Sequence, residues 1–175
     1  GGGVYCAQGQ VTDSRVERNL AVDFLGEGGG VYCAQSGRVE RCTLADNMAE
    51  TRGGGVYCAT GTVANCLIRD NFAGADGGGM YVGGVGSVVN CTIVENRTAG
   101  TAGGIGGYGA ALVNDIVYYN TPTSNAAGLT FTNCCAPGPP LGPGNRTSEP
   151  GFADRAAGIY LLTNGSVCIN AGTAL

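Results

Sequence analysis

Nine cysteines, thirteen carboxylates and no histidine set the chemistry open to this chain. Cys6, Cys33 and Cys58 each close a Gly-Gly-Gly-Val-Tyr-Cys string, and Cys42, Cys66 and Cys91 each sit two residues before Leu44, Ile68 and Ile93. Cys134, Cys135 and Cys168 stand apart, in an irregular C-terminal part. With no Cys-x-x-Cys pair and no histidine, zinc has no ligand set, and no metal or other cofactor is expected. The odd total leaves at least one thiol free or intermolecular. Among the carboxylates, Asp46, Asp70 and Glu95 recur once per repeat, each just before an asparagine. Such a row can hold Ca²⁺ or a sugar chain, or it can be a solvated edge that blunts aggregation. Asp115 takes a position where other repeats carry cysteine, and a buried carboxylate there would mark a site, with Asn114 beside it as a hydrogen-bond partner.

These residues are positioned by repetition. Gly1-Gly2-Gly3-Val4-Tyr5-Cys6 returns as Gly28 to Cys33 and Gly53 to Cys58, then in altered form as Gly77 to Val82 and Gly103-Gly104-Ile105. A second string follows each time, as in Val63-Ala64-Asn65-Cys66-Leu67-Ile68-Arg69-Asp70-Asn71 and Val88 to Asn96. The period is about 25 residues, the mark of stacked units that cannot bury their apolar faces alone. Within a unit the apolar residues lie two apart, which is strand periodicity. Short β-branched runs broken by Gly and Asn predict an all-β fold: a single-stranded, right-handed parallel β-helix of six to seven rungs. Regular rungs are expected over residues 1–133, with a loop-rich closing segment of the same domain over 134–175.

Stacking at ~4.8 Å puts like on like. Asn19, Asn47, Asn71, Asn96 and Asn120 should form one ladder, at a corner whose left-handed backbone Gly and Asn tolerate. Val4, Val31 and Val56 should form an inner column, and Cys42, Cys66 and Cys91 another. Tyr5, Tyr32, Tyr57 and Tyr81 form an outer or an inner stripe. Neighbouring cysteines in a column fall within disulfide range, yet their side chains point the same way, so buried thiols acting as small hydrophobes compete with disulfides. Cys134 or Cys135 bridged to Cys168 would pin the closing loop over the last rung.

Charged residues are 13% of the chain, the net charge is −4, and all nine positive charges are Arg. That balance gives no electrostatic footprint for nucleic acid, and no stretch has the length of a membrane span. Sequons at Asn90, Asn96, Asn145 and Asn164 are glycan acceptors in a eukaryotic secretory setting, or chance triplets in a Thr- and Asn-rich chain.

The Gly-Gly-Gly-Val-Tyr and Val-x-Asn-Cys-x-Ile-x-x-Asn strings resemble the right-handed parallel β-helix repeats of bacterial secreted and surface proteins, such as polymorphic outer-membrane proteins. Gly142-Pro143-Gly144-Asn145, Glu149-Pro150-Gly151-Phe152, Tyr160-Leu161-Leu162 and Ser166 to Gly172 resemble the closing segment of choice-of-anchor β-helix proteins, with Glu149 for the usual Asp and Val167 for the usual Pro. The resemblance implies an extracellular or cell-surface protein. The acidic residues do not converge as a lyase or hydrolase site requires. No cap precedes Gly1, and Ile169-Asn170-Ala171-Gly172 reads as a further strand, so both ends are expected to be open. The expectation is therefore a non-enzymatic structural protein, either a head-to-tail homopolymer growing into filaments or a surface adhesin. A carbohydrate-binding or polysaccharide-cleaving module is the alternative.

Overall fold

The computed structural model describes residues 1–23, 25–125, 128–138 and 142–174. Among these residues there is no helix, and every regular element is a strand of two to four residues. The chain coils into a β-solenoid of about five turns, and its strands stack into four parallel sheets. The first sheet holds Val4–Cys6, Val31–Cys33, Val56–Cys58, Met80–Val82 and Ile105–Gly107. The second holds Gln10–Thr12, Arg38–Glu40, Thr62–Ala64, Ser87–Val89, Ala111–Val113 and Thr130–Thr132. Arg15–Glu17, Thr43–Ala45, Leu67–Arg69, Thr92–Val94 and Ile116–Tyr118 make the third. Leu20–Ala21, Met48–Ala49, Phe72–Ala73 and Arg97–Thr98 make the fourth.

Register is like on like: Val31 pairs with Val56, Tyr32 with Tyr57 and Cys33 with Cys58. Alternation then fills the interior. The first sheet buries Val31, Val56, Met80 and Ile105, the second Val39, Val63, Val88 and Leu112, and the third Leu44, Ile68, Ile93 and Val117. The fourth contributes only Ala21, Ala49, Ala73 and Thr98, small residues for a narrow corner. Val4 and Val11 in the first turn are only partly buried against this core.

The glycine triplets have distinct tasks along one corner. Gly53 has φ +66, a left-handed backbone that L side chains rarely adopt. A Cβ on Gly54 would lie 2.3 Å from the Gly78 carbonyl oxygen, so the backbones of two turns meet there. A Cβ on Gly55 would press on the Asn71 amide at 2.9 Å.

Another corner departs from expectation. The ladder asparagines are not its left-handed residues; the residues before them are. Arg18, Asp46, Asp70, Glu95 and Tyr119 have φ between 55 and 57. Asn tolerates that conformation best, but its buried amide is needed for the ladder, so the preceding residue takes the strain.

Past Thr132 the regular winding gives way. Asn133 N–H donates to the Pro143 carbonyl (2.9 Å), and Cys135 bridges in parallel to Ile116 on one side and Arg146 on the other. Phe152–Asp154 and Ile159–Leu162 then pair antiparallel as a hairpin. Residues 169–172 form a turn and bend, not the strand their sequence suggested. That segment has no neighbouring turn in register to pair with, and its backbone bonds run locally, Ile169 N–H to Ser166 O and Ala171 N–H to Cys168 O.

Candidate functional site

The asparagine ladder forms as expected. Asn19 donates from its backbone N–H and its Nδ2 to Asn47 Oδ1 at 3.0 Å each. Asn47 does the same to Asn71, Asn71 to Asn96, and Asn96 to Asn120. Each interior amide also donates to a carbonyl of the preceding turn, as Asn71 Nδ2 does to Leu44 O at 3.0 Å. Asn47, Asn71, Asn96 and Asn120 are all buried, so these bonds replace water that cannot reach them. The ladder has a direction. Among the described residues, Asn19 Oδ1 at its first rung accepts nothing, while Asn120 at the other end is buried.

Both cysteine columns are sealed. Cys33, Cys58, Cys66 and Cys91 are at most 3% exposed. The column of Cys42, Cys66 and Cys91 donates to the carbonyl two residues back: Cys66 Sγ to Ala64 O at 3.1 Å, Cys91 Sγ to Val89 O at 3.4 Å. In the other column Cys6 Sγ donates to Gly9 O at 3.2 Å. All nine cysteines are free thiols in this structure, eight of them buried and Cys168 half-buried.

Outside, Tyr5, Tyr32, Tyr57 and Tyr81 stack as an outer column with centroids 4.8–5.5 Å apart. The Arg52 guanidinium lies 5.0 Å above the Tyr81 ring. Burial and the nearby Glu27 push the Tyr57 hydroxyl up to about 12. Ring faces in this column cover one another, and only Tyr5, 65% exposed, leaves a face open. A second asparagine column escaped sequence reasoning. Asn114 Nδ2 donates to Asn90 Oδ1, and Asn90 Nδ2 to Asn65 Oδ1, on the exposed corner where all three have positive φ. Its signal was present: asparagine recurs before Cys66, Cys91 and Asp115.

The sequon asparagines divide by burial. Asn96 is fully buried, with Nδ2 donating to Ile68 O and Asn120 Oδ1, so its amide is not presented to any glycosylating enzyme in the folded chain. Asn145 is half-buried and engaged, accepting from Cys134 N–H and donating to Phe131 O. Asn90 and Asn164 are exposed.

Of the concavities that flank the C-terminal segment, two hold carboxylates singled out in the sequence. One, of about 230 Å³, is lined by Asp115, Asn133, Cys134, Cys135, Arg146 and Cys168, with Asn90, Asn114, Ile116, Leu162, Ala171 and Gly172 around them. Asp115 is fully buried; its Oδ1 accepts from Cys91 N–H at 2.6 Å and its Oδ2 has no partner. Desolvation pushes its carboxyl up to about 8, so it is protonated at neutral pH. Asn114, expected to satisfy it, instead faces the tail, bonding Thr173 through both amide atoms.

The other concavity, about 400 Å³, lies between the third sheet and the hairpin and is lined by Arg69, Asp70, Glu95, Arg155 and Tyr160. Asp70 pairs with Arg69 at 2.6 Å and Glu95 with Arg155 at 3.2 Å. Arg155 also lies 4.0 Å over the Tyr119 ring. The structure thus brings Asp70 and Glu95 to one cleft, but each carboxylate is neutralised by an arginine. Among the described residues no group of three or more Cys, Asp or Glu is placed to hold a metal ion, and no helix is long and apolar enough to cross a membrane.

Comparisons with protein-family models, curated proteins and solved structures gave no match. The β-solenoid fold therefore rests on the geometry above, and the likeness to bacterial surface repeats rests on the motifs alone.

Proposed function

We propose that this chain is a non-enzymatic structural module of the extracellular space or cell surface, a rigid rod that packs end-on through its first turn against another solenoid turn. The observation that carries this is the state of that turn. Val4–Cys6, Gln10–Thr12, Arg15–Glu17 and Leu20–Ala21 are each paired on one side only among the described residues. Above them the Tyr5 ring face, Asn19 Oδ1 and the half-buried Val4 and Val11 form an unfinished layer. Unpaired strand edges template further strands. In the isolated chain, a second copy is the available partner. Continuation at the other end has no such seat, because Asn120, Cys134 and Cys135 are buried beneath residues that have left the regular winding. Pairing through the first turn therefore fits better than an unlimited head-to-tail filament.

The repeat motifs support placing the chain beside the choice-of-anchor and polymorphic outer-membrane repeat proteins, as an adhesin-like rod. With them goes a right-handed winding, the sense that parallel crossovers adopt, and six to seven rungs when the irregular closing segment is included. Carbohydrate binding or cleavage is the weaker reading. The tyrosine faces are stacked on one another rather than offered to sugar rings, and Asp70 and Glu95 are ion-paired rather than free for acid–base work.

Sedimentation velocity on the 175-residue chain tests the proposal. Concentration-dependent association is expected, lost in Tyr5→Glu, which puts charge on the open face of an exposed ring. A strictly monomeric parent, or a Tyr5→Glu variant that associates as well as the parent, overturns it.

A further inference from the structure

The C-terminal tail lies over the Asp115 cavity, yet little holds it there. Among the described residues, residues 163–173 are tied to the rest of the molecule by Thr163 N–H and its hydroxyl to Gly151 O, the Ser166 hydroxyl to Pro150 O, and the two bonds between Asn114 and Thr173. Between these anchors, Cys168 and Cys135 line the same cavity, with their thiols near enough to perturb each other's proton affinity. Cys135 sits on a fixed backbone: its N–H donates to Asp115 O and its carbonyl accepts from Val117 N–H, both at 2.8 Å.

The geometry points to Cys135 and Cys168 as an oxidation site, forming a disulfide that staples the tail over the Asp115 cavity. Four observations select this pair from nine cysteines. Cys168 is the one thiol that is not buried. Its partner lines the same cavity and is held by strand bridges on both sides. Cys134, the sequence neighbour that could compete, has its Sγ enclosed by Thr132 O, Leu112 O and Asp115 N–H, whereas Cys135 Sγ makes one bond, to Ser148 O at 3.2 Å, which a disulfide would replace. Cys33 and Cys58 pair in register, and Cys66 and Cys91 stack in the other column, but parallel stacking aims both side chains of a pair the same way and all four are buried from any oxidant. The reactive partner is Cys168, whose thiol is held down to about 7 by the neighbouring Cys135 and Ser166 side chains and by the Arg146 charge, while the Cys135 thiol is held up.

The step balances with a small disulfide such as oxidised glutathione as oxidant. Cys168 thiolate attacks one glutathione sulfur, forming a mixed disulfide and expelling one glutathione thiolate. Cys135 then gives up its proton and attacks the Cys168 sulfur, expelling the second. Two protein thiols are oxidised to one disulfide, and one glutathione disulfide is reduced to two thiols.

The test is peptide mapping by mass spectrometry without reduction, after native incubation with oxidised glutathione and alkylation in denaturant. The expected result is a single cross-linked species, Cys135 to Cys168, lighter by two hydrogens than the dithiol, with the other cysteines alkylated. Cys134→Ser should keep the cross-link, and Cys135→Ser should instead retain one glutathione on Cys168. A Cys134–Cys168 link, a link within either cysteine column, no link in the parent, or no adduct in Cys135→Ser overturns the proposal. The readout needs only the folded monomer, so it is independent of how the chain associates.

Discussion

Asp115 is the residue where physics and repeat disagree most. Its neighbours in the column are Cys91, Cys66, Cys42 and Ser14, all able to donate to backbone carbonyls. A carboxylate there gains one N–H from Cys91 and leaves Oδ2 empty. Its carboxyl is raised to about 8 in the folded chain against 3.8 for the free group. Between those values the unfolded chain loses the proton and the folded chain keeps it, so stability falls as pH rises through that window and levels off above about 8. Asp115→Asn is therefore expected to be more stable than the parent at pH 8 by several kcal/mol, with the advantage shrinking towards pH 4. Paired denaturant titrations across that range check it, and a constant difference contradicts it. Asn71 makes the opposite case, since its side chain bonds to Asn47, Leu44 and Asn96 away from water. Asn71→Ala should cost about 3 kcal/mol or more, read from the midpoint of urea unfolding. The ladder was legible because its spacing is the repeat itself. The cavity beside Asp115 was not, because Arg146 and Cys168 reach it from a segment with no repeat register.

At the scale of elements, the triplet glycines decide how closely turns can stack. Gly54→Ala would force a Cβ within 2.3 Å of Gly78 O and 2.4 Å of Phe72 O, both backbone atoms that cannot yield without moving a turn. A loss of about 2 kcal/mol or more is expected, whereas Gly9→Ala, whose Cβ would meet nothing within 4 Å, should be near neutral. Equal melting temperatures for the two variants would contradict this account of the corner. The strands were readable from alternation and the triplets from their spacing. The corner at Asp46, Asp70 and Glu95 was misread by one position, because sequence preference alone gives φ > 0 to Asn, and burial of the amide outweighs that preference. The hairpin Phe152–Asp154 with Ile159–Leu162 carried no period to find. Its attachment depends on Arg155 meeting Glu95 and Tyr119 across the cleft. Arg155→Ala should speed amide exchange in the hairpin while leaving the third sheet unchanged, as hydrogen-exchange mass spectrometry would show.

The whole molecule is asymmetric along its axis. Its first turn leaves strand edges, a ring face and an amide oxygen without partners among the described residues, and its last turn is buried beneath an irregular segment. On the function proposed above, that first turn is the face against which a further solenoid turn packs. The repeats made the fold plain from the sequence, but the two ends looked alike there, because the closing segment reads as one more strand until its neighbours are known. Electron microscopy of the purified chain at high concentration addresses the central claim directly. The account predicts straight particles twice the length of a single solenoid, joined end to end, and their disappearance in Tyr5→Glu. Single short particles at every concentration, or pairs joined side by side, would contradict it.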